Sequence, residues 1–133
     1  MVVYDTYAWV EYFRGSEKGE NVRKYLEKGG YTPSIVLAEI ARKYLREGFP
    51  FEEVGKRLEL IEAKTLITDI DVEIALESGR SFLELQEYAK KEGLRKPSLA
   101  DALIYSTAKI LKDNLITGDR LFKKLLSVIY IGD

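Results

Sequence analysis

Val2-Val3-Tyr4-Asp5-Thr6 sets three β-branched or aromatic residues directly ahead of a carboxylate and a hydroxyl. Such a run, followed at once by the helical pattern of Thr6 to Arg14, predicts a buried central strand feeding a crossover helix. Asp5 then stands at the carboxyl end of that strand, the edge at which open parallel α/β sheets bind ligands. Asp is also a favoured N-cap residue, so a capping role alone would account for it. The rest of the chain tips the balance toward a site, because three further acids fall in similar places.

Working outward, Gly15 ends the first helix and Ser16 caps a polar second helix through Glu27. Tyr31-Thr32-Pro33 is a brief extended segment, and a third helix runs from Ser34 toward Gly48. Phe51, Val54, Leu58 and Ile61 recur at helical spacing over Phe51 to Ala63. Thr65 to Thr68 reads as a second core strand, Asp71 to Lys91 as a long amphipathic helix, and Ser98 to Leu111 as the most apolar helix. Strand Asn114 to Thr117, a short helix through Leu126 and a final strand Val128 to Ile131 complete the series. Strands alternating with helices imply a three-layer α/β/α sandwich around a central parallel sheet. Without repeats, low-complexity tracts or linkers, residues 1–133 are expected to form one domain.

Composition removes most chemistries. The 133 residues contain no cysteine and no histidine, so disulfides, thiol nucleophiles, Ser-His-Asp triads and the usual zinc sites are excluded. Catalysis would have to run on carboxylates, Lys, Tyr, Ser or Thr. A net charge of −1 gives no global basic bias, so any nucleic-acid contact must rest on local clusters. Abundant Glu, Lys and Arg beside few Asn and Gln is a balance found in thermophilic proteins. No apolar run reaches membrane-spanning length and no signal pattern opens the chain, which makes cytoplasmic the expected location.

Glu39 lies among Ile35, Val36 and Ile40, so it projects from a helix face that should be buried. A lone buried carboxylate costs several kcal/mol, and a salt bridge to Arg is the structural alternative to a site. Asp101 is flanked by apolar neighbours in Leu99-Ala100-Asp101-Ala102-Leu103, although Ser98 three residues earlier makes a capping box possible. Asp119 follows strand Leu115-Ile116-Thr117 through Gly118 and could cap the next helix. Asp69 and Asp71 also follow a strand but read as the start of the long helix. The topology would bring Asp5, Glu39, Asp101 and Asp119 together, where mutual repulsion would force some to take up protons. A divalent cation relieves this, and oxygen-only ligation favours Mg²⁺ or Mn²⁺, ions suited to phosphate chemistry. Thr6 and Thr117 put a hydroxyl beside each strand-end acid, where it could orient a carboxylate or a water. Of the basic clusters at Arg42-Lys43-Arg46, Lys90-Lys91, Arg95-Lys96 and Lys123-Lys124, Arg95 and Lys96 are the first candidates for contact with substrate phosphates, since they precede the helix carrying Asp101.

Val3-Tyr4-Asp5-Thr6, Glu39 in a mid-chain helix, Ser98-Leu99-Ala100-Asp101-Ala102 and Leu115-Ile116-Thr117-Gly118-Asp119 together resemble the PIN-domain ribonucleases, specifically the VapC-type toxins of VapBC toxin–antitoxin pairs. The resemblance spans the chain and is carried most specifically by the last two motifs. It implies a PIN-like α/β/α fold and a metal-dependent endoribonuclease acting on single-stranded or structured RNA. Asp5, Glu39, Asp101 and Asp119 match the family's four acids, and a VapB-type antitoxin would be the partner.

Two other classes remain open at this point. A phosphatase or phosphoacceptor domain also places an Asp after its first strand, but usually adds a second Asp nearby and a Lys near a later strand end; here Tyr7 stands two after Asp5, and no such Lys follows Thr117. A catalytically silent RNA- or protein-binding PIN module would tolerate loss of an acid, and none is lost. The helix Thr6 to Arg14 is unusually aromatic, with Tyr7, Trp9, Tyr12 and Phe13. If one of its faces is exposed it would form a partner surface for an antitoxin segment or a homodimer.

Overall fold

Strand β1 (Val2–Tyr4) is buried at all three positions and occupies the middle of a five-stranded sheet. The computed structural model describes residues 1–133. In chain order, α1 (Thr6–Arg14), α2 (Glu17–Leu26), β2 (Tyr31–Pro33), α3 (Ser34–Arg46), α4 (Phe51–Lys64), β3 (Leu66–Thr68), α5 (Val72–Glu92), α6 (Leu99–Leu111), β4 (Asn114–Thr117) and β5 (Val128–Tyr130) follow β1. All strand pairs are parallel and the order across the sheet is β3-β2-β1-β4-β5. The chain therefore winds outward in one direction from β1 through β2 to β3, then returns to β4 on the other side of β1. Helices pack in pairs, α1 on α2, α3 on α4 and α5 on α6, giving the α/β architecture with a central parallel sheet that the strand–helix alternation predicts.

The reversal of direction at the β1/β4 boundary is a topological switch point, where a crevice opens beyond the strands' carboxyl ends. Pairing of Tyr4 with Ile116 puts Asp5 and Thr117, the next residues on each strand, side by side at that crevice. Below it the core is apolar: Val3, Tyr4, Trp9, Ile40, Leu115 and Ile116 are fully buried.

Four expectations change. Tyr31–Pro33 is a full member of the sheet, paired on both sides. β3, expected to be a core strand, is an edge strand with Leu66 60% exposed, because edge or centre is set by topology and not by β-branched composition. The helix expected to run to Leu126 is a single 3₁₀ turn over Arg120–Phe122 followed by turns. Helix α1 presents no exposed aromatic face. Trp9 is fully buried and contacts the rings of Tyr4, Tyr12 and Phe13, while Phe13 meets Tyr44 edge-on and lies under the Arg57 guanidinium. That helix is covered chiefly by the polar α2, with Tyr44 of α3 and Arg57 of α4 closing over Phe13.

Candidate active site

A cavity of about 350 Å³ at the switch point is lined by Asp5, Glu39, Asp101 and Asp119, the four acids singled out in the sequence, together with Thr6, Tyr7, Lys43 and Arg95. A larger cavity, about 620 Å³ between α2 and β5, has no comparable convergence of acids; its charged residues are Lys24, Glu27 and Lys28.

Three of the acids reach this cavity as helix caps. Asp5 Oδ1 accepts the Ala8 N–H at 2.8 Å as N-cap of α1. Asp119 Oδ1 accepts the Leu121 N–H at 2.9 Å at the start of the 3₁₀ turn. Asp101 completes the capping box of α6: the Ser98 hydroxyl accepts the Asp101 N–H at 3.1 Å, and Asp101 Oδ2 accepts the Ser98 N–H at 2.7 Å. Capping and site membership are thus not alternatives. One backbone bond fixes the rotamer of each short side chain and commits only part of its carboxylate. Glu39 is placed differently, by the Thr6 hydroxyl, which donates to Oε1 at 2.6 Å.

Thr117 does not line the cavity. It is fully buried and its hydroxyl accepts the Asp119 N–H at 3.0 Å, so it holds the loop that carries Asp119. Asp71 caps α5 through the Ile74 N–H, and both it and Asp69 lie outside the cavity. Lys96 also lies outside it. Tyr7 lines the site without having been singled out for it, and Lys43, one member of the basic cluster Arg42-Lys43-Arg46, lines it too. Lys43 is one turn beyond Glu39 on α3 and so shares its face, a signal present in the sequence; its ammonium is paired with Glu47.

Arg95, a candidate for substrate contact, is engaged with two of the acids. Its guanidinium forms a two-pronged contact with Asp101, Nη1 to Oδ2 at 2.9 Å and Nη2 to Oδ1 at 3.0 Å, and Nη2 also donates to Asp119 Oδ2. These bonds to Asp101, and after them those to Asp119, raise the proton affinity of Arg95 above its already high ordinary value. The repulsion expected among the acids is therefore relieved in part by a side chain of the protein itself. Asp5 has no bond to that guanidinium. Its carboxyl is pushed up to about 7, chiefly by burial and further by the charges of Asp119 and Glu39, against the Thr117 hydroxyl and the Ala8 N–H, which pull it down.

The donor chemistry suits a hard divalent ion, being carboxylate and hydroxyl oxygen with no nitrogen or sulfur ligand. The side-chain positions do not yet match it, since no three acids stand grouped as ligands.

An α/β domain with a parallel sheet and an acid-lined switch-point cavity defines a class suited to cation-assisted phosphate chemistry. The PIN domain family model matches residues 2–126, and the chain belongs to the PIN domain family. Among solved structures it is similar to VapBC-1 from nontypeable Haemophilus influenzae, with 17% identity, TM-score 0.73, and 98% of each chain covered. VapBC2 from Rickettsia felis, bound to a promoter DNA fragment, shares 21% identity at TM-score 0.71 and covers 98% of this chain and 97% of its own. VapC20 from Mycobacterium tuberculosis, described as a Sarcin-Ricin loop cleaving toxin, matches at 12% identity and TM-score 0.58 over 86% of this chain and 87% of its own. No curated protein matches the chain by sequence. No helix is long and apolar enough to cross a membrane.

Proposed function

We propose that the chain is a Mg²⁺- or Mn²⁺-dependent endoribonuclease and the toxin half of a VapBC-type pair. The observation that carries this reading is the convergence of Asp5, Glu39, Asp101 and Asp119 on one cavity at the sheet's switch point. Asp5 and Asp101 would chiefly hold the ion, with Glu39 and Asp119 assisting, and the chemistry it would supply is activation of water and stabilisation of charge on an RNA phosphodiester. Glu39, tied to Thr6 through Oε1 alone, keeps its second oxygen to orient or deprotonate an attacking water. Thr117 keeps Asp119 in place from below. The description of VapC20 as a Sarcin-Ricin loop cleaving toxin and the VapBC complexes among the similar folds support RNA as substrate and a VapB-type antitoxin as partner; the proposed location is the cytoplasm.

A homodimer is also proposed. With α1 covered, its contact falls to the exposed apolar residues Val72, Leu76 and Leu83, spaced along one side of α5.

Incubation of purified protein with single-stranded RNA, with and without Mg²⁺, tests the activity. Cleavage is expected only with the metal and is expected to vanish in Asp5→Asn and Asp101→Asn proteins that still fold. Undiminished cleavage by Asp5→Asn would overturn the assignment, and cleavage in excess chelator would remove the metal from it.

A further inference from the structure

We propose that Arg95 competes with the divalent ion for Asp101 and Asp119, so that metal loads only when this guanidinium withdraws. The inference rests on the reading of the cavity as a metal site.

A carboxylate offers about four lone-pair positions to donors. Asp101 Oδ2 already receives three donors, the Ser98 N–H at 2.7 Å, the Ser98 hydroxyl at 3.0 Å and Arg95 Nη1 at 2.9 Å, and Arg95 Nη2 takes Oδ1 at 3.0 Å, so the guanidinium lies across the open face of the carboxylate. The Ser98 N–H belongs to the capping box and cannot leave without unravelling the first turn of α6. Arg95 is the partner that can be exchanged. It also takes Asp119 Oδ2, whose companion oxygen is committed to the Leu121 N–H. One guanidinium thus occupies the oxygens of two acids that a cation would need, at the place where a second positive charge would be repelled.

The segment that carries Arg95 is built to deliver it there and to let it go. Residues 94–97 have no regular structure, but both ends are pinned. Gly93 in the left-handed conformation closes α5, with the Leu94 N–H bonded to Ala89 O at 2.9 Å, and the capping box opens α6 on the other side. The backbone therefore fixes where the side chain starts. The Arg95 side chain is 46% exposed, so it can turn into solvent without opening the core. An ion pair this exposed is easily exchanged.

Competition of this kind lowers apparent metal affinity by the fraction of molecules with the arginine out. If the engaged state prevails by about ten to one, removing the guanidinium tightens binding about tenfold. Titration of Mn²⁺ into the purified full chain by calorimetry measures this directly, with the Mn²⁺-dependent rise in melting temperature as a second readout. Arg95→Met is expected to bind Mn²⁺ about tenfold more tightly than the wild type. Lys96→Met removes a neighbouring charge that touches neither acid and is expected to stay within about twofold of wild type. Equal or weaker binding by Arg95→Met overturns the proposal, as does an equal gain in Lys96→Met, which would make net charge the cause. Binding by Arg95→Met that survives unchanged when Asp101→Asn is added also overturns it, because the ion would then lie elsewhere. Absence of Mn²⁺ binding in both wild type and Arg95→Met overturns the metal site itself, an outcome distinct from equal affinity. Should Arg95→Met fail to fold, Arg95→Lys keeps the charge but not the two-pronged contact. It is expected to shift in the same direction, and unchanged affinity there overturns the competition.

Discussion

The Thr6 hydroxyl reaches across 33 residues of sequence to hold Glu39 Oε1 at 2.6 Å. It stands one residue beyond Asp5, at the first position of α1, so the helix that Asp5 caps also aims the acid supplied by α3. Partners that orient ligands in this way typically change metal affinity or activity by about 10- to 100-fold when removed. Thr6→Val is isosteric and is expected to lower RNA cleavage by about tenfold or more. The cost in stability should be only about 1 kcal/mol, since Glu39 can turn toward solvent. Thr6→Ser should restore activity. Rates and melting temperatures of the two variants check this, and a Thr6→Val protein of wild-type rate would leave Thr6 without a positioning role.

Asp5 gives the metal-free protein a pH dependence opposite in sign to that of most carboxylates. Its folded pKa of about 7 lies above its ordinary value of 3.8, so between these limits the folded state binds the proton more tightly than the unfolded state. The contribution of this group to stability is therefore complete at low pH and declines as pH rises toward about 7, after which it is constant. Urea midpoints in chelator at pH 5 and pH 7.5 should show a smaller fall, or a rise, in Asp5→Asn relative to the wild type. Identical pH profiles for the two proteins would remove the burial of a charged Asp5 as a source of instability. Mn²⁺ should flatten the wild-type decline, because a cation favours the charged carboxylate.

Gly118, between Thr117 and Asp119, is in contact with the Tyr7 ring, and a Cβ added there would stand 2.1 Å from a ring carbon. Either Tyr7 or the loop bearing Asp119 must move. Gly118→Ala is expected to cost about 1 to 3 kcal/mol by overpacking. A Tyr7→Ala background removes the obstructing ring, and there the same substitution should cost markedly less. Chemical denaturation of the four proteins in the cycle provides the comparison.

These relationships differ in how far the sequence displays them. The caps are local: Ser98 and Asp101 are three residues apart, as are Asp5 and Ala8, so their partners can be read from spacing. The convergence of the acids follows from one further rule, that parallel strands place their carboxyl ends on one edge. Arg95 shows the limit. Its partners lie 6 and 24 residues away, and in sequence it is one basic pair among several. Only the pinned turn between α5 and α6 turns its side chain into the cavity and leaves Lys96 outside. The aromatic excess of α1 misleads for a related reason. Tyr44 and the Arg57 cation that help cover it belong to helices whose docking onto α1 no periodicity reveals. Likewise, the β-branched residues of β3 suit a central strand as well as an edge one.

A buried polar line beneath the site yields the last prediction. Trp9 Nε1 can only donate, and it meets Thr32 Oγ1 at 3.1 Å. Thr65 Oγ1 donates to Ile61 O at 3.0 Å, so in the 2.7 Å contact between the two hydroxyls Thr32 must be the donor. The line therefore runs Trp9 to Thr32 to Thr65 to Ile61 O and ties α1, β2 and the end of α4 together. Thr32 and Trp9 are fully buried and Thr65 nearly so, which means that no water can replace a lost partner without opening the core. Thr32→Val keeps the shape but leaves the indole N–H without an acceptor and Thr65 without its donor. It is expected to cost about 1 to 3 kcal/mol. Thr32→Ser retains the hydroxyl, so only the lost methyl separates it from the wild type. Adding Trp9→Phe removes the orphaned donor, and the Thr32→Val cost measured in that background should be smaller than in the wild type by about 1 kcal/mol. Simple additivity of the two substitutions in urea denaturation would show that the indole contributes packing alone.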